Sequence, residues 1–277
     1  MPLKGTMRAR GKTRRNLGAK GKKTVKITQK VVVPTMKPTQ KAGITQLVKT
    51  LLGRKTENKA VGWTLESSVH HNSGILAADC VPVIQAIGQL DTTTGFNSAV
   101  QRIGDKIQPK SLKVRGCVSI ATNQNTTQNL YVRVLILAQK DIKVASGIIG
   151  GGVNTGALLR PMLNTGAGAD EGAYTGSTQT SLQPVNTDLF RVYYDKTFLI
   201  CPASNQTVEN TKGSFRWGYD FKQLPANLTY DNTNGDYANN FAPFMALGYC
   251  YADGTAPDIA TTRIVSNTYS LLSFEDA

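Results

Sequence analysis

Residues 215–222 read FRWGYDFK, and their alternation decides the fold class. Phe215, Trp217, Tyr219 and Phe221 share one parity, while Arg216, Gly218, Asp220 and Lys222 take the other. In an extended chain alternate side chains point to opposite sides, so this pattern is a strand with one apolar and one wet face. The four rings are read as core. A base-stacking platform like those of single-strand-binding folds is the rival assignment for the same rings.

The same period recurs on both sides of this stretch. Leu112, Val114, Val118 and Ile120 alternate with Lys113, Arg115, Cys117 and Ser119. Leu130, Val132, Val134 and Ile136 share a parity, as do Phe190, Val192, Tyr194, Phe198 and Ile200 in FRVYYDKTFLI. Each predicts a strand buried on one face. Weaker runs at 62–69, 79–90, 243–251 and 263–274 bring the expected total to about eight strands. Pro109 is placed before a strand, Pro202 after one, and Pro161, Pro184, Pro225 and Pro257 between runs. Gly-, Asn- and Thr-rich stretches at 146–186 and 226–240 read as long loops. The expected body, residues 61–277, is one all-β domain, a two-sheet antiparallel sandwich.

The segment before that body differs in kind. The 277 residues carry 32 Lys+Arg and 18 Asp+Glu, a formal charge of +14. Residues 1–60 hold 17 of the cations and only one acid, Glu57, so the rest of the chain is nearly neutral. Residues 1–40 read as a basic arm and linker. The cations of its first 30 residues are Lys4, Arg8, Arg10, Lys12, Arg14, Arg15, Lys20, Lys22, Lys23, Lys26 and Lys30, interrupted by Gly5, Gly11, Gly18 and Gly21. Such a segment is expected to be disordered in isolation and to bind a polyanion, nucleic acid before an anionic membrane. It has no aromatic residue to read a base, so its binding is expected to be sequence-tolerant and salt-dependent. Residues 41–60 are read as a short amphipathic helix and connector, because Ile44, Leu47, Val48, Leu51 and Leu52 fall on one helical face before Gly53. A helix docked under the body is favoured over a membrane-active or partner-binding one.

The sequence assigns no catalytic, cofactor or metal motif. Gly5 and Gly11-Lys12-Thr13 miss the phosphate-loop spacing by one residue, and no strand pattern precedes them. The run GIIGGGVNTG at 147–156 does not match a dinucleotide fingerprint and reads as a flexible loop. No Gly-x-Ser-x-Gly elbow occurs. His70 and His71 are adjacent and read as surface-loop residues. DNTNGD at 231–236 departs from a calcium loop at Thr233 and at its glycine, and reads as a polar turn. Cys80, Cys117, Cys201 and Cys250 form no CxxC pair and read as small buried residues of a reducing compartment. No apolar run follows the first basic residues, so no secretory leader is expected, and no run approaches the roughly 20 residues of a membrane helix.

RIGDKIQPKSLKVRGCVSI at 102–120, the box Tyr194-Asp195-Lys196-Thr197-Phe198 and the terminal YSLLSFEDA at 269–277 resemble capsid proteins of circular single-stranded DNA viruses, the circovirus-like group. The resemblance implies an eight-stranded jelly roll behind a basic arm, self-assembly into an icosahedral shell, and genome packaging by the cations from Lys4 to Lys30. It also implies a nuclear localisation signal in the arm, with a virion and host-nucleus location, and a host receptor and nuclear import machinery as further partners. The Tyr-Asp-Lys-Thr-Phe box is implied to be a shell strand. Small single-stranded RNA viruses share the arm-plus-jelly-roll plan, so an RNA genome is the alternative. A non-viral single-stranded nucleic-acid-binding protein is the alternative from another class. A shell of about 60 or 180 copies would bring on the order of a thousand or more positive charges to its interior.

Overall fold

A computed structural model describes residues 58–65, 74–90, 100–120, 129–161, 172–201, 213–231, 236–254 and 264–276. The chain divides into two units, Met1–Lys55 and Thr56–Ala277, and every described residue lies in the second. The arm, the expected helix at 41–55, and His70 and His71 therefore lie outside the described residues.

The described residues form nine strands: β1 Asn58–Leu65, β2 Val81–Pro82, β3 Lys106–Ile120, β4 Leu130–Gln139, β5 Phe190–Ile200, β6 Ser214–Asp220, β7 Leu228–Thr229, β8 Phe244–Tyr251 and β9 Ile264–Asp276. They form a front sheet in the order β1-β9-β3-β6, with β7 beside β3, and a back sheet in the order β2-β8-β4-β5. Every pairing between strands is antiparallel. With the two-residue β7 set aside, the first of the eight principal strands pairs with the last, the second with the seventh, the third with the sixth and the fourth with the fifth. That is one long antiparallel ribbon rolled into two sheets, the jelly roll. Its tip is the connection from β4 to β5.

The core between the sheets holds the residues that the alternation selects. Leu112, Val114 and Val118 of β3, Leu130, Val132, Val134 and Ile136 of β4, and Trp217 of β6 all lie in it. Burying side chains of this size contributes roughly 1.5–3 kcal/mol each.

Four local expectations are corrected. Among its described residues, the tip at 146–186 is not an unstructured loop. It contains helices α1 Ala145–Ile149 and α2 Thr178–Leu182, a 3-10 turn at Thr155–Ala157, and a bridge from Leu159 to Val185. This tip folds back over the outer side of the back sheet. Ile148, Val153, Leu158, Leu159, Tyr174 and Val185 meet Leu135 and Leu137 of β4 and Phe244 and Ala246 of β8 in a second apolar cluster. Strands β4 and β8 are consequently buried on both faces, which is why all eight residues of FMALGYCY are buried and the segment reads as a continuous apolar run.

The alternation along β5 is also broken. Ile136 pairs with Tyr194 but Leu137 pairs with Val192, so Tyr193 is an inserted bulge residue. Tyr193 and Tyr194 both meet the inner core, while Phe190 is moved to the opposite face and joins the outer cluster. Pro109 lies inside β3 and not before it, at a register shift between Pro109 and Ser111 that accommodates its missing N–H. Finally, β1 begins at Asn58, so three residues of the expected connector belong to the sheet.

Candidate nucleic-acid interface

All eleven arm cations from Lys4 to Lys30 lie outside the described residues, so the body is where an interface is traced. Sixteen Lys+Arg and one acid precede Asn58, which gives the chain a charge of +15 where it enters β1. Strand β1 is the outer strand of the front sheet. It is tied down by Lys59, whose buried ammonium stands 2.5 Å from Asp276 and donates to the carbonyl of Gln101. Asp276 in turn accepts from the backbone N–H of Ile103 at 3.2 Å. A basic segment is thus joined to a strand locked against the last strand of the fold.

The outer faces of the two sheets differ. The back sheet lies under the tip layer. Among the described residues nothing covers the outer face of the front sheet, where Lys106, Lys110, Lys113 and Arg115 of β3 and Arg216 of β6 are all exposed. Lys110 pairs with Glu275 at 2.8 Å and Arg115 with Asp220 at 2.6 Å. The Arg115 pair is exposed and the Lys110 pair partly so, and surface pairs of this kind hold their charges only weakly. Lys106, Lys113 and Arg216 have no ion pair among the described residues. This surface was missed from the sequence because the net charge of the body is close to zero. The signal was present in the alternation of Lys106, Gln108 and Lys110, and of Lys113 and Arg115, along one strand.

The aromatic strand is placed in the core, as expected. Phe215 stacks on Phe198 at 4.1 Å between ring centroids, and Trp217 on Tyr194 at 5.6 Å. Tyr219 meets Tyr194 at 5.7 Å, and Phe221 meets Tyr193 at 5.0 Å. Strand β6 is one edge of the front sheet and β5 one edge of the back sheet, so these rings close a side of the sandwich where the two sheets share no strand pairing among the described residues. The packing therefore favours the core reading of these four rings over the stacking-platform one.

Two arginines the sequence did not mark are structural anchors. Arg133 of β4 is buried and makes a two-pronged contact with Asp195 at 2.8 and 2.7 Å. It also donates to the carbonyls of Thr180, Ser181 and Gln183 at the end of α2. Asp195 belongs to the Tyr-Asp-Lys-Thr-Phe box, so in this chain the box's acid helps fix the outer layer to the sheet. Arg102 is buried too, donating to the carbonyls of Ile87 and Gly104 with its guanidinium 4.5 Å from the Tyr230 ring centre. Asp236, at one end of the loop weighed for calcium, stands 3.8 Å from Arg102. At the other end, Asp231 accepts from Asn239. Among the described residues no cluster of three His, Cys, Asp or Glu is placed to hold a metal ion.

A cleft of about 580 Å³ opens beside the tip, with Lys140, Lys143 and Arg191 in its wall. Each cation is partly engaged: Lys140 donates to the Thr187 carbonyl at 2.8 Å, Lys143 to the Lys140 carbonyl at 2.6 Å, and Arg191 to Gln223 at 3.1 Å.

The front sheet order and the end-to-end pairing define the class of protein: a single jelly-roll sandwich behind a basic segment. No protein-family model matches the chain, and no curated protein matches it. Among solved structures the chain is similar to one from the full particle of Israeli acute paralysis virus heated to 63 degrees. The identity is 10%, the match covers 96% of this chain and 81% of that one, and the TM-score is 0.26. At that score the jelly roll rests on the strand pairing described above.

Proposed function

We propose that the chain is the subunit of an icosahedral shell that self-assembles and packages a single-stranded nucleic acid through its basic N-terminal segment. The observation that carries this is a division of labour along the chain. A +15 segment leads directly into the outer strand of a jelly roll that is itself close to neutral. A near-neutral body lets copies approach without mutual repulsion, while the segment neutralises phosphates by counterion release. Self-association is further supported by large apolar side chains left bare on the body, among them Leu76, Ile149, Leu182 and Leu199, with Leu182 80% exposed. A neighbouring copy is the natural cover for such a surface.

The finer reading is a circular single-stranded DNA genome, with the arm also serving as a nuclear localisation signal. It follows from the sequence resemblance at 102–120, 194–198 and 269–277. Purification of the full-length protein from an expressing cell, followed by nuclease typing of what it protects, tests both levels. Protected nucleic acid digested by a single-strand DNase after disruption supports the DNA assignment. Protected RNA moves the genome to the alternative and keeps the packaging function. A protein that protects neither contradicts the proposal.

A further inference from the structure

Among the described residues, the front sheet leaves one aromatic side chain bare. Tyr269 of β9 is 45% exposed and stands on the outer face, opposite Arg115 of β3 and Thr64 of β1. Its ring leans across β1 so that the hydroxyl lies where a Cβ of residue 62 would stand, 1.6 Å away, and only glycine at that position admits it. On the other side of β3, the Arg115 side chain occupies the space over Gly218 in the same way, at 2.8 Å. The two glycines keep the face low, with Tyr269 and Arg115 lying across it.

Cations stand in register on the β3 and β6 side of Tyr269, opposite to the β1 side over which its ring leans. Lys113 is one outward position along β3 from Arg115, and Arg216 is across from Cys117, one position beyond Arg115 in the opposite direction. Successive outward residues of a strand stand about 6.7 Å apart, the scale of one nucleotide in an extended single strand. Lys113 and Arg216 are the members of this row without an ion pair among the described residues.

We propose that the outer face of the front sheet is a second, folded binding surface for single-stranded nucleic acid, with Tyr269 stacking on an unpaired base and Lys113 and Arg216 taking the flanking phosphates. This rests on the reading that the chain's partner is a nucleic acid, and it adds base contact to an arm that has no aromatic residue. A flat, basic surface with one bare ring suits a single strand, whose bases are free to stack. A duplex offers the ring no unpaired base, and the face presents no helix to enter a groove.

The test uses the full-length protein with oligothymidylate of about 20 nucleotides, and a duplex of equal length as control. Ultraviolet cross-linking followed by peptide mapping is expected to yield an adduct on the peptide that contains Tyr269. Tyr269→Leu is expected to lose that adduct and to weaken single-strand binding about tenfold while duplex binding stays unchanged. Tyr269→Phe keeps the ring and is expected to bind like the parent. Lys113→Ser with Arg216→Ser is expected to weaken both ligands and to lower the single-strand salt slope by about 1.4. No adduct on that peptide, with all three variants binding as the parent does, overturns the proposal. If replacing the eleven arm cations by Gln then abolishes binding, the arm is the sole interface and the packaging reading survives. If the arm variant binds undiminished, the arm's assigned role is the part that fails.

Discussion

Arg133 is the residue on which the attachment of the outer layer turns. Its guanidinium is 3% exposed and satisfies three carbonyls at the end of α2 while pairing with Asp195. Truncating it leaves those buried carbonyls without their donor and removes the partner of a carboxylate that is itself partly open to water. Arg133→Ala is therefore expected to cost about 2–3 kcal/mol in urea unfolding. A loss below about 1 kcal/mol would show that water replaces the guanidinium and that the anchor is dispensable. Cys80 supplies a pH prediction at the same scale. Burial first, and the charge of Asp79 second, push its thiol up to about 12 from an ordinary 9.0. The folded state then holds a proton that the unfolded chain releases, so this contribution is full below pH 9 and is lost as pH rises from there towards 12. The urea midpoint is expected to fall between pH 8 and pH 10, and Cys80→Ala to make that fall shallower. An unchanged slope in the variant would place the alkaline sensitivity elsewhere.

Among the elements, the seam between β5 and β6 tests most directly what the aromatic strand is for. Trp217 is 6% exposed and stacked on Tyr194, so Trp217→Ala is expected to cost about 3–5 kcal/mol of stability and to leave nucleic-acid affinity unchanged. The reverse outcome, stability kept and affinity lost, would return these rings to a binding role. This strand was legible in the sequence because one of its faces is wet, and alternation reports a strand only when its two faces meet different surroundings. Strands β4 and β8 are covered on both sides, so their runs gave a strand without showing that the tip lies over it. The tip was read as loop because the five-residue helices α1 and α2 are too short to establish a helical period. In β5 the bulge at Tyr193 moves Phe190 to the opposite face, a change decided by pairing with β4 and invisible along one strand. The front-face cations were hidden differently: summing charge over the body cancels a sorting that exists between its surfaces.

For the whole molecule, the arm and the body are expected to separate in function. Deleting residues 2–30 should leave the jelly roll folded, because the described sheets are complete from Asn58 onward, and should remove the nucleic acid that copurifies with the protein. Far-ultraviolet circular dichroism and the absorbance ratio at 260 and 280 nm check the two halves of that statement, and a truncated protein that fails to fold would make the arm structural. The central claim, that many copies form a closed shell around nucleic acid, is tested most directly by negative-stain electron microscopy of the purified full-length protein with absorbance at 260 and 280 nm on the same fraction. Uniform round particles rich in nucleic acid are predicted; a protein found only as small soluble species, however tightly it binds oligonucleotides, would contradict the shell.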